Sequence, residues 1–324
     1  MTSKAADLRY SSVIVIFGWS VVAAVLLWLG LFILTGERFN VVRWISYLVP
    51  WLSGLLLILG AVSVVLRKRA LAVCMFVLGA LMAYPYLHQF IPSQVEVHTK
   101  HALYKVMTYS KMGRNHDIGA VARVVSKKKP DILFMQEISE KEAGELVRLL
   151  SGVYAVPLSY FADDHYGLIL SRYTVVSRLQ KGDGSLAADI LLPEGKIRVW
   201  NVHLQKSLSS TDVQYKLVEQ LAERIGKESG PVLVAGDFNA TVLNTPYVMI
   251  RSMLDNAFEK VGFGFGFTFP SPARRMGALT PFMRIDHIFF NSRFTAHQAY
   301  VVHDAGGSDH YPVVALLSLT RGGR

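Results

Sequence analysis

Along its first 91 residues the chain alternates long apolar runs with short polar links. Residues 13–34 (VIVIFGWSVVAAVLLWLGLFIL) carry no charge, nor do 44–66 (WISYLVPWLSGLLLILGAVSVVL) or 70–87 (ALAVCMFVLGALMAYPYL). A helix needs about 20 such residues to cross the hydrocarbon core. The first two runs suffice, and the third does so with residues 89–91 at the interface. The pattern predicts three transmembrane helices, at about 13–34, 44–66 and 70–91. A cleaved signal peptide would explain only the first run, and its apolar part is normally about 7–15 residues.

From residue 101 onward the pattern changes to short runs. LYKVMTY, DILFM, YGLILS, IRVWNVHL and PVLVAG read as strands, and so do RIDHIFF, AHQAYVV and VVALLSL near the end. Helices fall between them. Asp117 is placed to cap one that runs through Val125, and Ser139 to Leu150 opens on a Ser-x-x-Glu box formed by Ser139 and Glu142. Val213, Leu217, Leu221 and Ile225 make one stripe over 210–226, and Pro246 starts a short helix from Asn244 to Leu254. Strands outnumber helices, which predicts an α/β domain over 101–324 with two packed sheets and helices outside.

Charge adds an orientation. Lys4, Arg9, Arg67, Lys68 and Arg69 flank one side of the three runs, against Arg38, Arg43 and Lys100 on the other. Basic residues stay inside, so the N-terminus is expected in the cytoplasm and the domain after residue 100 outside it. From residue 101 the chain carries 26 Lys/Arg against 21 Asp/Glu. That mild excess is compatible with polyanionic or phospholipid substrates without selecting them. The only cysteine is Cys74, within the third run. The later domain therefore forms no internal disulfide and offers no thiolate metal site.

Several strands end on polar groups. DILFM is followed by Gln136 and Glu137; Asn201 and His203 lie two apart at the end of VWNVH; VLVAG runs into Asp237 and Asn239. Asp286 opens DHIFF, and Asp309 and His310 precede the last strand. Singly, each has a structural explanation. Gly, Asp and Asn are common turn formers, so GDFN is either a turn or a site, and His203 could be a satisfied core histidine. The coincidence of five strand ends favours a site.

In this order, Gln-Glu, Asn-x-His-Leu, Gly-Asp-Phe-Asn, Arg-Ile-Asp and Ser-Asp-His-x-Pro, the chain resembles the endonuclease/exonuclease/phosphatase family over about residues 102–320. The resemblance implies a deoxyribonuclease I-like four-layer α/β/β/α sandwich, and the three-span anchor resembles a bacterial inner-membrane branch. It further implies that Glu137 binds a catalytic Mg²⁺, with Mn²⁺ as a substitute, and that Asp309 adds a second carboxylate near the metal. Asp237 would orient or deprotonate the attacking water, Asn239 would hold a phosphate oxygen, and His203 would contact phosphate or protonate the leaving group. His310 paired with Asp286 would form the other acid/base unit. Family members usually carry Asn where this chain has Ser110, so Ser110 would serve the metal through a shorter side chain.

The resemblance implies a divalent-metal-dependent phosphoester hydrolase, first of all a phosphodiesterase or an endonuclease of nucleic acid, which the apolar runs anchor in the membrane and the charge bias places in the periplasm. The alternative is a phospholipid or sphingolipid phosphodiesterase or phosphatase at the membrane surface, and the second alternative is an inactive membrane binding module. A nuclease needs a basic groove with aromatic platforms, whereas a lipid hydrolase needs apolar loops beside the site. VGFGFGFTFPSP (261–272) is the candidate for such a loop. His165 and Tyr166, and Arg274 and Arg275, are further candidates for substrate contact, weighed against solvated loops.

Overall fold

The computed structural model of the chain describes every residue except 1, 92–101, 155–157, 164–166, 182–184, 205–210, 274–280 and 321–324. His165, Tyr166, Arg274 and Arg275 thus lie outside the described residues. Two units are present, Met1–Leu87 and His88–Arg324.

The first unit is helical: α1 (Thr2–Thr35), α2 (Asn40–Tyr47), α3 (Val49–Val65) and α4 (Arg69–Leu87). Val13–Thr35 and Arg69–Phe90 are each long and apolar enough to cross a membrane, with mean hydropathy 2.5 and 2.0. The middle run departs from the single transmembrane helix expected at about 44–66. It is broken at Leu48, where α2 and α3 meet at 71°. Pro50 stands in the first turn of α3, where its missing N–H costs nothing, whereas mid-helix it would break the ladder. The 17 residues of α3 rise only about 26 Å, short of the ~30 Å core. Two helices qualify as spans, or three if the bent pair is counted as one. Their outward faces are apolar, with Leu34 83% and Val65 80% exposed.

The second unit opens with a short helical turn, His88–Phe90, and continues β1 (Leu103–Ser110), α5 (Ile118–Lys128), β2 (Ile132–Gln136), α6 (Glu140–Leu150), β3 (Ser159–Asp163) and β4 (Gly167–Ser171). Next come β5 (Thr174–Lys181), β6 (Ser185–Leu192), β7 (Gly195–His203), α7 (Thr211–Gly226), β8 (Val232–Asp237) and α8 (Thr245–Arg251). The chain then adds β9 (Asp255–Asn256), α9 (Ala257–Val261), β10 (Asp286–Phe290), β11 (Phe294–Val301) and β12 (Val313–Leu319). One mixed sheet runs β11-β12-β1-β2-β4-β3 and the other β5-β6-β7-β8-β10-β9. Each sheet holds one parallel pair, β1 with β2 and β7 with β8. A parallel pair needs a long crossover, and α5 and α7 supply the two.

Local chemistry explains the helix ends. Asp117 accepts from the Ala120 N–H at 2.8 Å, and α5 stops at Lys129, whose φ of 47° is left-handed. The Ser139–Glu142 capping box is formed at the start of α6. The buried stripe of α7 is Gln214, Val218, Leu221 and Ile225, while Val213 is exposed; the predicted stripe was turned by about one position at its start. Three apolar clusters bind the layers. Val106, Phe134, Ile169, Val199, Leu233 and Ile288 fill the space between the sheets. Val121, Val125 and Leu146 seat α5 and α6 on the first sheet. Val218, Leu221 and Ile250 seat α7 and α8 on the second.

Candidate active site

Both parallel pairs end at the same level. Ser110 is in register with Gln136, and His203 with Asp237. Below these ends a polar clamp joins the sheets. Asn201 Nδ2 donates to the carbonyls of Met135 (2.7 Å) and Leu168 (3.1 Å), and its Oδ1 accepts from Gln136 Nε2 at 2.6 Å. The clamp fixes Gln136, which immediately precedes Glu137, and Asn201, two residues before His203.

GDFN forms a turn that leaves one Asp237 oxygen facing a polar cluster. The strand ends at Asp237, and Asn239 takes a left-handed φ of 46° instead of continuing the alternation expected of an extended chain. Asp237 Oδ1 accepts from the Asn239 N–H at 2.8 Å, and Asn239 Nδ2 donates to Leu204 O at 2.7 Å. Asp237 Oδ2 faces the cluster described below. Gly236 makes the approach feasible, because a Cβ there would lie 1.8 Å from Val202 O on the neighbouring strand. Any side chain would push β8 off β7. Glu137 also has a positive φ, 58°, and non-glycine residues held there concentrate at functional sites. Its Oε2 accepts from the Gly113 N–H at 2.7 Å.

Ligand atoms of Glu137, His203 and Asp237 lie within 4.8 Å of one another, and so do those of Asp237, Asp286 and His310. Asp237 belongs to both groups. His203 Nε2 is 3.9 Å from Glu137 Oε1 and 3.9 Å from Asp237 Oδ2. His310 Nδ1 meets Asp286 Oδ2 at 2.9 Å, and its Nε2 stands 3.7 Å from Asp237 Oδ2. Asp309, the second carboxylate expected near the metal, is in neither group. Asp309 stands 3.9 Å from His310 Nε2. Ser110 is fully buried and its carbonyl accepts from Ser308 Oγ at 2.6 Å.

Burial raises the pKa of Asp237, helped by the nearby Asp286 charge and opposed by His310 and His203. For His310, burial disfavours the imidazolium, but the carboxylates of Asp286 and Asp237 outweigh it and the net shift is upward. His287, next to Asp286, faces away: its Nε2 meets Ala240 O at 2.9 Å and its ring packs on Tyr247. Burial, with the Arg284 charge, holds His287 down at about 3, so it is a neutral core residue.

Sequence reasoning passed over several supports. Ser308 Oγ bridges Ser110 O and the His310 N–H. Tyr109 Oη and Asn115 Nδ2 hold the carbonyls of Ala305 and Gly306 just before it. The fully buried Lys111 ties the Glu137-binding segment to α6 through Asn115 O and Glu142 Oε1, each at 3.0 Å. The Phe269 ring lies 4.8 Å from His310. Only Ser308 had a sequence signal, as the first residue of the SDH motif.

This donor set fits a hard divalent cation, which takes carboxylate oxygens and few protein ligands. Two buried atoms without a hydrogen-bond partner among the described residues, Ser110 Oγ and His310 Nε2, point to further polar occupants of the site.

The Endonuclease/Exonuclease/phosphatase family matches residues 80–310. The chain belongs to this family. Its members are metal-dependent phosphoester hydrolases with a deoxyribonuclease I-like fold. The fold is shared with the endonuclease/exonuclease/phosphatase from Bacteroides vulgatus, at 18% identity, 68% of this chain, 100% of that chain and a TM-score of 0.55. D. rerio TDP2 complexed with single-strand DNA product matches at 18% identity, 67% of this chain, 99% of that one and TM-score 0.54. The Bacteroides thetaiotaomicron mannosyl-6-phosphatase matches at 18%, 67% and 100%, with TM-score 0.53. No curated protein matches the chain.

Proposed function

We propose that the protein is a membrane-anchored, Mg²⁺-dependent hydrolase of phosphoester bonds whose catalytic domain lies outside the cytoplasm. The observation that carries this reading is the convergence on Asp237 of two ligand groups, one with Glu137 and His203 and one with Asp286 and His310. Glu137 would hold the ion, with His203 and Asp237 beside it. A divalent cation there would neutralise phosphate charge and acidify a bound water.

The remaining roles belong to the chain's own groups. Asp237 Oδ2 orients the attacking water and accepts its proton, a task suited to a buried carboxylate with a raised pKa. Asp286 accepts from His310 Nδ1–H, which aims Nε2 at the site, where it donates to a phosphate oxygen or the leaving group. His203, at the cluster's half-exposed edge, contacts phosphate from the other side. Asn239, its backbone fixed by the turn at Asp237, adds a polar contact for a phosphate oxygen. Asp309 adds negative charge beside His310 and favours the imidazolium. By analogy with D. rerio TDP2, which holds a single-strand DNA product, and with the Bacteroides thetaiotaomicron mannosyl-6-phosphatase, candidate substrates include nucleic acid and sugar phosphates.

Mn²⁺ binding to the full chain in detergent, followed by the loss of its free-ion electron paramagnetic resonance signal, tests the reading. Binding that Mg²⁺ displaces and Glu137→Gln weakens is expected. Equal binding by wild type and Glu137→Gln would contradict the metal assignment.

A further inference from the structure

The two most exposed large apolar side chains of the second unit, among the described residues, are Ile91 and Phe263, at 67 and 64%. They belong to one patch. Phe90, next to Ile91, meets the Phe263 ring edge-on at 6.1 Å and the Phe265 ring at 4.9 Å, and Phe265 stacks on Phe267 at 4.9 Å and 4°. The Gly264 N–H donates to Gln89 O at 2.7 Å. Gly264 and Gly266 have φ of 78° and 60°, and a Cβ on Gly266 would strike the Phe258 ring. The loop is built to present phenylalanines, with glycines where the backbone must turn.

Two connections give this patch a meaning. Phe90 is the last residue of the candidate span Arg69–Phe90, a position at the boundary of hydrocarbon and headgroups, where aromatic rings concentrate. The loop's other end enters the active site. Thr268 O accepts from the Tyr311 N–H at 2.8 Å, and Phe269 packs on His310.

We infer that Gly262–Phe267, with Phe90 and Ile91, is a membrane-seating surface that holds the active site against the bilayer, where its substrate is a lipid-borne phosphoester. The inference rests on the membrane-anchored hydrolase reading. Phe263, the exposed tip, enters the interface, and Phe265 and Phe267 link it to the wall that carries His310. A nucleic acid would not need this apolar tip.

The test uses the full chain with Cys74→Ser, in nanodiscs of phosphatidylcholine, phosphatidylglycerol and phosphatidylinositol. Spin labels are placed on Phe263→Cys, on Leu26→Cys in α1 and on Val176→Cys in β5, and their collisions with oxygen and with a water-soluble nickel complex are compared. Oxygen should dominate at 263 as at 26, and nickel at 176. Nickel dominance at 263 with oxygen dominance at 26 would overturn the loop inference alone. Nickel dominance at both would overturn the membrane reading with it. Phe263→Ser should slow hydrolysis of the nanodisc phospholipids by about tenfold, the effect of losing one apolar side chain's burial, and leave bis-p-nitrophenyl phosphate turnover unchanged. Cleavage of single-stranded DNA but of none of these lipids would refute the lipid assignment.

Discussion

Asn201→Ala removes the clamp between the sheets without substituting any proposed catalytic group. Three buried hydrogen bonds disappear, two donated by Asn201 Nδ2 to Met135 O and Leu168 O and one accepted from Gln136 Nε2. Gln136 keeps only its bonds with Thr108 Oγ1. At about 1 kcal/mol net for each bond, and about 1 kcal/mol for the small void, the loss is about 4 kcal/mol. A domain of this size loses about 2–4 °C in Tm per kcal/mol, so a drop of roughly 8–16 °C is expected. Activity should fall as well, because Glu137 directly follows Gln136 and His203 lies two residues beyond Asn201. Displacing such groups by about 1 Å costs about a hundredfold in rate. Asn201→Asp should be worse than Ala, since a carboxylate accepts where two carbonyls need a donor and leaves a buried unpaired charge. The assay is thermal unfolding of the full chain in detergent, with hydrolysis measured at low temperature. If Ala lowers Tm by less than about 3 °C, or Asp proves as stable as Asn, the clamp does not hold the sheets as described.

Three further outcomes are expected. Ser139 and Lys111 hold the Glu142 carboxyl down at about 2 from an ordinary 4.5, against the opposing effect of burial. Its stabilisation is therefore present above pH 4.5 and lost as pH falls towards 2. Urea midpoints across that window should fall less steeply in Glu142→Gln, and parallel curves would dismiss the effect. Ser110→Ala breaks no hydrogen bond seen among the described residues, so Tm should hold while Mg²⁺ affinity falls by up to about tenfold if the hydroxyl meets a metal-bound water; an unchanged affinity would remove Ser110 from the metal's surroundings. An alkaline phosphatase reporter should be active when fused after Arg324 and inactive at Lys68, and the reverse would put the catalytic domain in the cytoplasm.

Most of the site could be read from the sequence because its residues sit at strand ends, where apolar alternation stops abruptly at an acid, amide or imidazole. Two of the strands that escaped notice carry no such mark. Thr174–Lys181 mixes charge with β-branched residues, and Ser185–Leu192 is alanine-rich with an acid at its centre. Asp189 is tolerated there because Arg198 on the next strand binds it at 2.5 Å, a partner that no local pattern announces. The bend at Leu48 was hidden because hydropathy counts residues and ignores where Pro50 must stand. Asn201 shares a face with His203, as spacing required, yet it turns out to join the sheets, since residue type does not distinguish a ligand from a clamp. Asp309 sits at the expected place in the chain, but its carboxylate lies outside the two ligand groups around Asp237.

The most direct test of the hydrolase assignment is the rate at which Asp237→Asn cleaves bis-p-nitrophenyl phosphate in Mg²⁺, beside wild type, with folding and Mn²⁺ binding checked in the same samples. The amide keeps the shape of the turn but cannot take a proton from water, so the rate should fall by about a hundredfold to ten-thousandfold. A folded, ion-binding Asp237→Asn protein that keeps a rate within threefold of wild type would contradict the role given to Asp237, and with it the chemistry assigned to the site.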